Sequence, residues 1–455
     1  MKQTNVNPLE GDIIKGMIRL AVPMVLVQAL SMVFSIADSL VIANFGSSLS
    51  MGSIGETSNM ITLLLCLVSG LSVGVSVTVG IRLGEGNADS VKRLMNTLVP
   101  SAFVIGLFVC LIAILLARPL MLLIDCPEQL IDGACLYLQI YALSIPFYSV
   151  FLFLSSSLQA KGDTVRPLYF QTAAGILNVL LNLLFVIVFG WDIAGVAIAT
   201  VISQALCAAA CLFYMCSKEE ELRVSLCEMS LFKEMSDVTR IGLTTCLSSV
   251  VMDIAGILII RGINSFGDLA AVGSAASSTI EGLMALAFVG LGSACGIYVA
   301  QNYGARNFDR IKKAIRSALL LCFVLGEVMG LAVYALGPYV LGFFINESES
   351  FTADMVQESL AAGLIRLKWL GLLYGFCGTM NVLNGGLRSI DEPKAALWIS
   401  LLCSGVLRVS WIFISLQTIH TLDALFIAFP ACWVLMTGLE LIVFVTKLRK
   451  KEALA

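Results

Sequence analysis

The sequence predicts an all-α integral membrane protein, with 12 transmembrane helices in two six-helix lobes related by a pseudo-two-fold axis. Its composition, the lengths of its apolar segments and an internal repeat predict this fold. Of the 455 residues, 58% are hydrophobic and 13% are charged, whereas soluble domains carry about 25% charged residues. The bilayer is therefore the expected environment, and lipid the expected partner of most of the surface.

Long apolar segments are the second observation. A helix needs about 20 mostly apolar residues to cross the hydrocarbon core of a bilayer. The segments that meet this length lie at residues 19–43, 57–82, 94–117, 130–158, 167–190, 194–216, 238–262, 272–302, 312–336, 356–388, 393–417 and 423–447. They predict six spans in each half of the chain.

The two halves resemble each other in sequence. GLSVGVSVTVGIRLGEGNADSVKR, starting at Gly70, matches GLGSACGIYVAQNYGARNFDRIKK, starting at Gly290, and the identities concentrate in the polar loop. Because six spans return the chain to the side where it started, the repeat is parallel. We therefore expect an N-terminal lobe at 1–216, a charge-rich cytoplasmic linker at 217–237 and a C-terminal lobe at 238–455.

The distribution of Lys and Arg predicts the orientation, because these residues accumulate on the cytoplasmic side. With both termini in the cytoplasm, the inward loops hold Lys92, Arg93 and most of the other bases, while the outward loops hold only Arg118 and Arg261. The polar N-terminus is too long for a secretory signal peptide and lacks a small-residue cleavage site. We expect a multi-pass protein of the bacterial cytoplasmic (inner) membrane.

Several function classes are disfavoured. A formal net charge of −3 provides no basic surface for nucleic acid. The sequence contains one histidine, His420, and most of its 14 cysteines lie in apolar segments, so we expect no metal, no cofactor and no enzyme activity. It also lacks a phosphate-binding GxxxxGK[ST] loop, so uphill transport would depend on an ion gradient.

Five segments together resemble the multidrug and toxic compound extrusion (MATE) family, in order and over essentially the whole chain. They are PMVLVQALSMVFSIADSLVIANFG, LQAKGDTVRP, NVLLNLLFVIVFGWDIAGVAIATVISQ, VAQNYGARNFDR and FPACWV. The resemblance implies a cation-coupled antiporter that exports amphipathic, often cationic small molecules by alternating access, driven by H⁺ or Na⁺. We expect it to be a monomer.

The N-terminal lobe contains one carboxylate well inside a span, Asp38. At 1.5 Å per residue, Tyr137, Asn178, Asn182 and Thr200 fall in the same outer layer of the membrane, and the two asparagines share a helix face. These positions resemble the cation or proton site of the family. We expect Asp38 to be the coupling residue; the alternative is that it only holds neighbouring helices by hydrogen bonds.

The identity of the coupling ion depends on Asn182, which stands where many relatives carry an aspartate. A single carboxylate favours H⁺ over Na⁺, because hard cations prefer several charged oxygen ligands. Removal from water also disfavours the charged form of a lone carboxyl group, which then exchanges a proton near neutral pH.

The C-terminal lobe places Asp253 and Glu281 among Arg366, Lys368 and Arg408. Buried acids beside bases tend to remain paired, so the first interpretation is a salt-bridge network. The second is a coupling or substrate site, since Asp253 matches a seventh-helix glutamate used by some branches of the family. A Na⁺-coupled exporter using Asp253 and Glu281 is therefore an alternative, as is a flippase for lipid-linked saccharides.

Overall fold

The computed structural model describes residues 6–345 and 351–454. Within these residues, ten helices are long and apolar enough to cross a membrane, and two bent helix pairs, each taken as one span, bring the number to twelve. The predicted all-helical membrane fold is confirmed.

The helices of the first half are α1 (Ile13–Phe45), α2 (Ser48–Gly84), α3 (Ala88–Leu123), α4 (Glu128–Ala142), α5 (Ile145–Lys161), α6 (Val165–Leu183) and α7 (Asp192–Ser217). Those of the second half are α8 (Ser236–Asn264), α9 (Asp268–Gly304), α10 (Phe308–Ala335), α11 (Gly337–Gly342), α12 (Ala353–Gly371), α13 (Tyr374–Ser389), α14 (Pro393–Ser400), α15 (Arg408–Thr418), α16 (Leu422–Phe426) and α17 (Ala428–Leu454).

The chain forms two compact units. The first contains Val22–Cys246 and the residues before Pro8, and the second contains Pro8–Ala21 and the chain from Leu247 onward. Two helices, α1 and α8, therefore contribute residues to both units. Pro23, which has no backbone N–H to donate, lies next to the division within α1.

The segment predicted as a linker, 217–237, belongs to the first unit. Its backbone is bound to α3, where Ser225 N donates to Asn96 Oδ1 at 2.8 Å and Phe232 N donates to Ser101 Oγ at 3.0 Å. Glu234 also pairs with Arg82 at 2.9 Å. These bonds attach the segment to α2 and α3.

One span in each unit is broken, although the sequence predicts each as a single helix. The chain bends by 46° between α4 and α5 and by 51° between α12 and α13. In each unit a glycine of the neighbouring helix lets the first turn of the helix after the break pack closely against it. Gly106 on α3 lies against Pro146 of α5, and Gly326 on α10 lies against Gly375 of α13. At the second break, Glu327 accepts a hydrogen bond from Gly375 N at 3.1 Å and so caps α13.

A π-helical segment interrupts another pair of matching spans. Leu184–Val188 follows α6, and Leu401–Leu407 lies between α14 and α15. Such segments occur frequently at functional sites. Asn182 lies just before the first one and Arg408 just after the second, so both candidate residues lie where their helices lose regular geometry.

The close approach of α10 and α12 leads to a test of the fold. An added Cβ at Gly330 would overlap the Gly371 carbonyl oxygen, so Gly330→Ala should lower the free energy of unfolding by about 1–3 kcal/mol through overpacking. Gly438→Ala on α17 is the matched control, since a Cβ there would meet nothing within 4 Å. Thermal unfolding of the purified protein in detergent should show a lower Tm for the first variant only, and equal values would contradict the packing.

Candidate functional site

Four of the five residues predicted for the first site meet in one hydrogen-bonded group. Asn182 Nδ2 on α6 donates to Asp38 Oδ1 on α1 at 2.5 Å. Asn178, one turn earlier on α6, lies 3.2 Å from Thr200 Oγ1 on α7 and 3.3 Å from the Asn182 amide nitrogen. The spacing of the two asparagines therefore places both amides between the carboxylate and the hydroxyl.

The amide of Asn178 fits this group best with its nitrogen toward Asp38. In that orientation Nδ2 lies 2.9 Å from Asp38 Oδ1, and the amide oxygen accepts from Thr200 N at 3.3 Å and Thr200 Oγ1 at 3.2 Å. Nitrogen and oxygen are assigned here from the hydrogen-bond network. One oxygen of Asp38 then receives two neutral amide donors, and Asp38 forms no ion pair with any residue that the structure describes.

A close helix contact that the sequence analysis missed brings α1 to α6. The Phe34 ring lies directly on Gly175, where an added Cβ would overlap it. Phe34 is one helical turn before Asp38, and Gly175 is on the same face as Asn178 and Asn182, so this contact sets the distance between carboxylate and amides. The sequence feature that indicates this contact is Gly175 itself, which lies three residues before Asn178 and seven before Asn182.

Tyr137, the fifth predicted residue, lies beside the group without bonding to it. It is 6% exposed and packs in an apolar cluster with Val41 and Ile42 of α1. Its ring centroid is 6.0 Å from that of Tyr141, which the sequence analysis did not select.

The second unit brings together only part of its predicted set. Glu281 Oε2 pairs with Arg366 Nη2 at 2.7 Å, and Arg366 Nη1 also donates to Ser274 Oγ at 2.8 Å. Asp253 is exposed on α8, and within the described part of the chain neither Asp253 nor Arg408 takes part in an ion pair. Of the residues predicted for this site and described by the structure, Glu281 and Arg366 therefore form a pair, and Asp253 and Arg408 lie outside it.

With this geometry established, comparison with known proteins identifies the family. The model of the family described as MatE matches residues 23–184 and 241–414. The chain belongs to this family. The resemblance seen in the sequence motifs is thereby confirmed, and the protein is a member of the multidrug efflux transporter family.

Relatives of MatE type extend over most of the chain. A probable multidrug resistance protein of Bacillus subtilis, YpnP, is 27% identical over 399 residues, covering 88% of this chain and 87% of its own. The multidrug export protein MepA of Staphylococcus saprophyticus is 21% identical over 406 residues, covering 89% and 88%. A solved structure of a multidrug resistance MATE family transporter of the MOP superfamily, in an outward-facing conformation, covers 99% of both chains with a TM-score of 0.87 at 17% identity, which supports the fold.

The hydrogen bond from Asn182 to Asp38 leads to a stability test of the site. Asn182→Ala removes a fully buried donor to a carboxylate, which should cost about 1–3 kcal/mol of unfolding free energy. Asn44→Ala is the control, because Asn44 on α1 is exposed and its amide donates to Leu40 O of its own helix. Thermal unfolding should separate the two variants, and an unchanged Tm for Asn182→Ala would contradict the described bond.

Proposed function

We propose that this MatE transporter exports amphipathic, often cationic small molecules from the bacterial cytoplasm in exchange for protons, with Asp38 as the coupling residue. The observation that carries the proposal is that, among the described residues, the Asp38 carboxylate is bound by neutral amide donors and by no base. The proposal includes a monomer in the inner membrane with both termini in the cytoplasm. The relatives named as multidrug proteins support the substrate class.

The surroundings of Asp38 favour a proton over Na⁺. A bound Na⁺ needs several oxygen ligands, preferably charged ones, whereas two amide nitrogens are aimed at the carboxylate here. Amide N–H donors stabilise an ionised carboxylate, and they occupy the oxygen that a metal ion would have to bind.

A protonated Asp38 can also be accommodated by the same residues. Its hydroxyl would need an acceptor, and Asn182 Oδ1 is buried without a hydrogen-bond partner in the described part of the chain. Reversal of the Asn182 amide would present this oxygen to the protonated carboxyl group. The amide therefore offers a donor to one protonation state and an acceptor to the other.

The position of Asp38 on α1 suggests how protonation is coupled to transport. Because α1 carries residues of both compact units, a change in the bonds that hold Asp38 to α6 acts on a helix shared by the two units. In the proposed cycle Asp38 takes up a proton when the site opens outward and releases it when the site opens inward, as alternating access requires.

The first test of coupling replaces the carboxylate. In proteoliposomes loaded with a fluorescent cationic dye, Asp38→Asn should reduce efflux driven by a pH gradient about tenfold or more. Asp132→Asn is the matched control, since that carboxylate on α4 is 87% exposed. Full pH-driven efflux by Asp38→Asn, at equal protein incorporation, would overturn the proposal.

The second test addresses the choice of ion. Asn182→Asp would place a second carboxylate oxygen beside Asp38, because the Asn182 amide nitrogen lies 2.5 Å from Asp38 Oδ1. Two adjacent carboxylates should attract Na⁺, so this variant should show stronger efflux under an imposed Na⁺ gradient than the wild type. If wild-type efflux instead follows the Na⁺ gradient and ignores the pH gradient, the Na⁺-coupled alternative with Asp253 and Glu281 takes its place.

A further inference from the structure

The second unit carries bases at the positions that correspond to the Asp38 site of the first unit. If α6 and α14 are matched at their prolines, Asn182 corresponds to Arg408. The helices α4 and α12 are the first pieces of the two broken spans. If they are aligned at their last residues, Tyr137 corresponds to Arg366. The same place in the repeated architecture therefore holds a carboxylate with neutral partners in one unit and two guanidinium groups in the other.

The guanidinium of Arg408 is buried with donors that bond to nothing in the described part of the chain. Arg408 is 5% exposed, and its Nε and Nη2 are both buried without an acceptor. Arg366 Nε is also buried and has no acceptor in the described part of the chain. An unsatisfied charged donor is costly in a protein interior, so a buried guanidinium edge without acceptors indicates a ligand that supplies them.

Arg408 lacks the acidic partner that the two other bases have. Glu281 is bound to Arg366 at 2.7 Å and Lys368 is bound to Asp423 at 3.2 Å, whereas Arg408 has no ion-pair partner in the described part of the chain. Charged groups inside spans are rare and mark substrate or ion pathways. The net charge of this group therefore favours an anionic ligand.

Both guanidinium groups lie over the ring of Phe429, and the buried Trp433 packs beside that ring. The centroid of the Phe429 ring lies 5.1 Å from Arg408 Cζ and 5.8 Å from Arg366 Cζ, and the Trp433 ring lies 6.1 Å from that of Phe429. Phe429 is only partly buried, and the Glu281 side chain is 21% exposed. A flat apolar ring could therefore reach Phe429 from outside the packed core.

We infer that the second unit contains a binding site for an amphipathic organic anion, a carboxylate carried on a flat apolar ring system. The adjacent Nε and Nη2 of Arg408 match the two oxygens of a carboxylate, and the ring of the ligand lies against Phe429. The inference rests on the proposed export function and extends its substrates to compounds that carry a carboxylate.

Binding of two probes that differ only in the anionic group tests this site. We would titrate the purified protein in lipid nanodiscs with 1-pyrenecarboxylate and with neutral 1-pyrenemethanol, following pyrene fluorescence and subtracting the signal of empty nanodiscs. The wild type should bind the carboxylate about tenfold more tightly than the alcohol, or about 1.4 kcal/mol. Equal affinity for the two probes would overturn the inference.

Variants at one position show whether Arg408 supplies the recognition. Arg408→Gln should abolish the preference for the carboxylate, and Arg408→Lys, which keeps the charge but lacks the paired donors, should retain only part of it. Lys450→Gln is the matched control, because that base is exposed near the end of α17, about 30 Å along the helix from Phe429; it should bind like the wild type. Thermal unfolding checks that each variant is folded.

The outcomes are separable even if a variant is unstable. If Arg408→Gln does not fold, Arg408→Lys decides, and an unchanged preference for the carboxylate in Arg408→Lys would overturn the role of the paired donors. The titration needs no ion gradient, so it gives its result whichever ion drives transport. If the wild type shows no pH-driven dye efflux, the coupling proposal is refuted, and the binding result is unaffected.

Discussion

The absence of water from the hydrocarbon core is the constraint on which the rest of this structure depends. Backbone groups must be satisfied within each helix, and every polar side chain inside a span must find its partner in the protein or in a ligand. The charged groups within these spans are therefore informative. Asp38 is bound by a neighbouring amide, whereas Arg408 has donors without an acceptor in the described part of the chain.

Small residues make the polar contacts geometrically possible. Gly175 lets the Phe34 ring lie on the backbone of α6, which brings Asp38 within reach of Asn182. Gly106 and Gly326 act similarly at the two helix breaks, where the start of the next helix lies against them. Close backbone approach is the usual role of glycine between membrane helices, and here it sets the position of functional groups as well as packing.

The two units share an architecture and differ in charge. Both have a broken span and a π-helical segment at matching places. The first unit has a carboxylate with neutral donors there, whereas the second has two buried arginines, one of them paired with Glu281. A duplicated fold provides two equivalent positions, and the side chains decide what each one binds. In the exporter proposed here, the proton and an organic anion bind at separate sites, one in each unit.

The sequence by itself determined the membrane environment, the number of spans, the repeat and the layer that holds Asp38, Asn178, Asn182 and Thr200, because hydropathy and helical rise depend only on local order along the chain. Tertiary structure decided the rest. The breaks within the fourth and tenth spans depend on glycines of neighbouring helices, and the pairing of Glu281 with Arg366 in place of Arg408 depends on distances between helices. Such contacts join residues far apart in sequence, and neither the hydrophobic periodicity nor a motif of a single helix indicates which residues will be in contact.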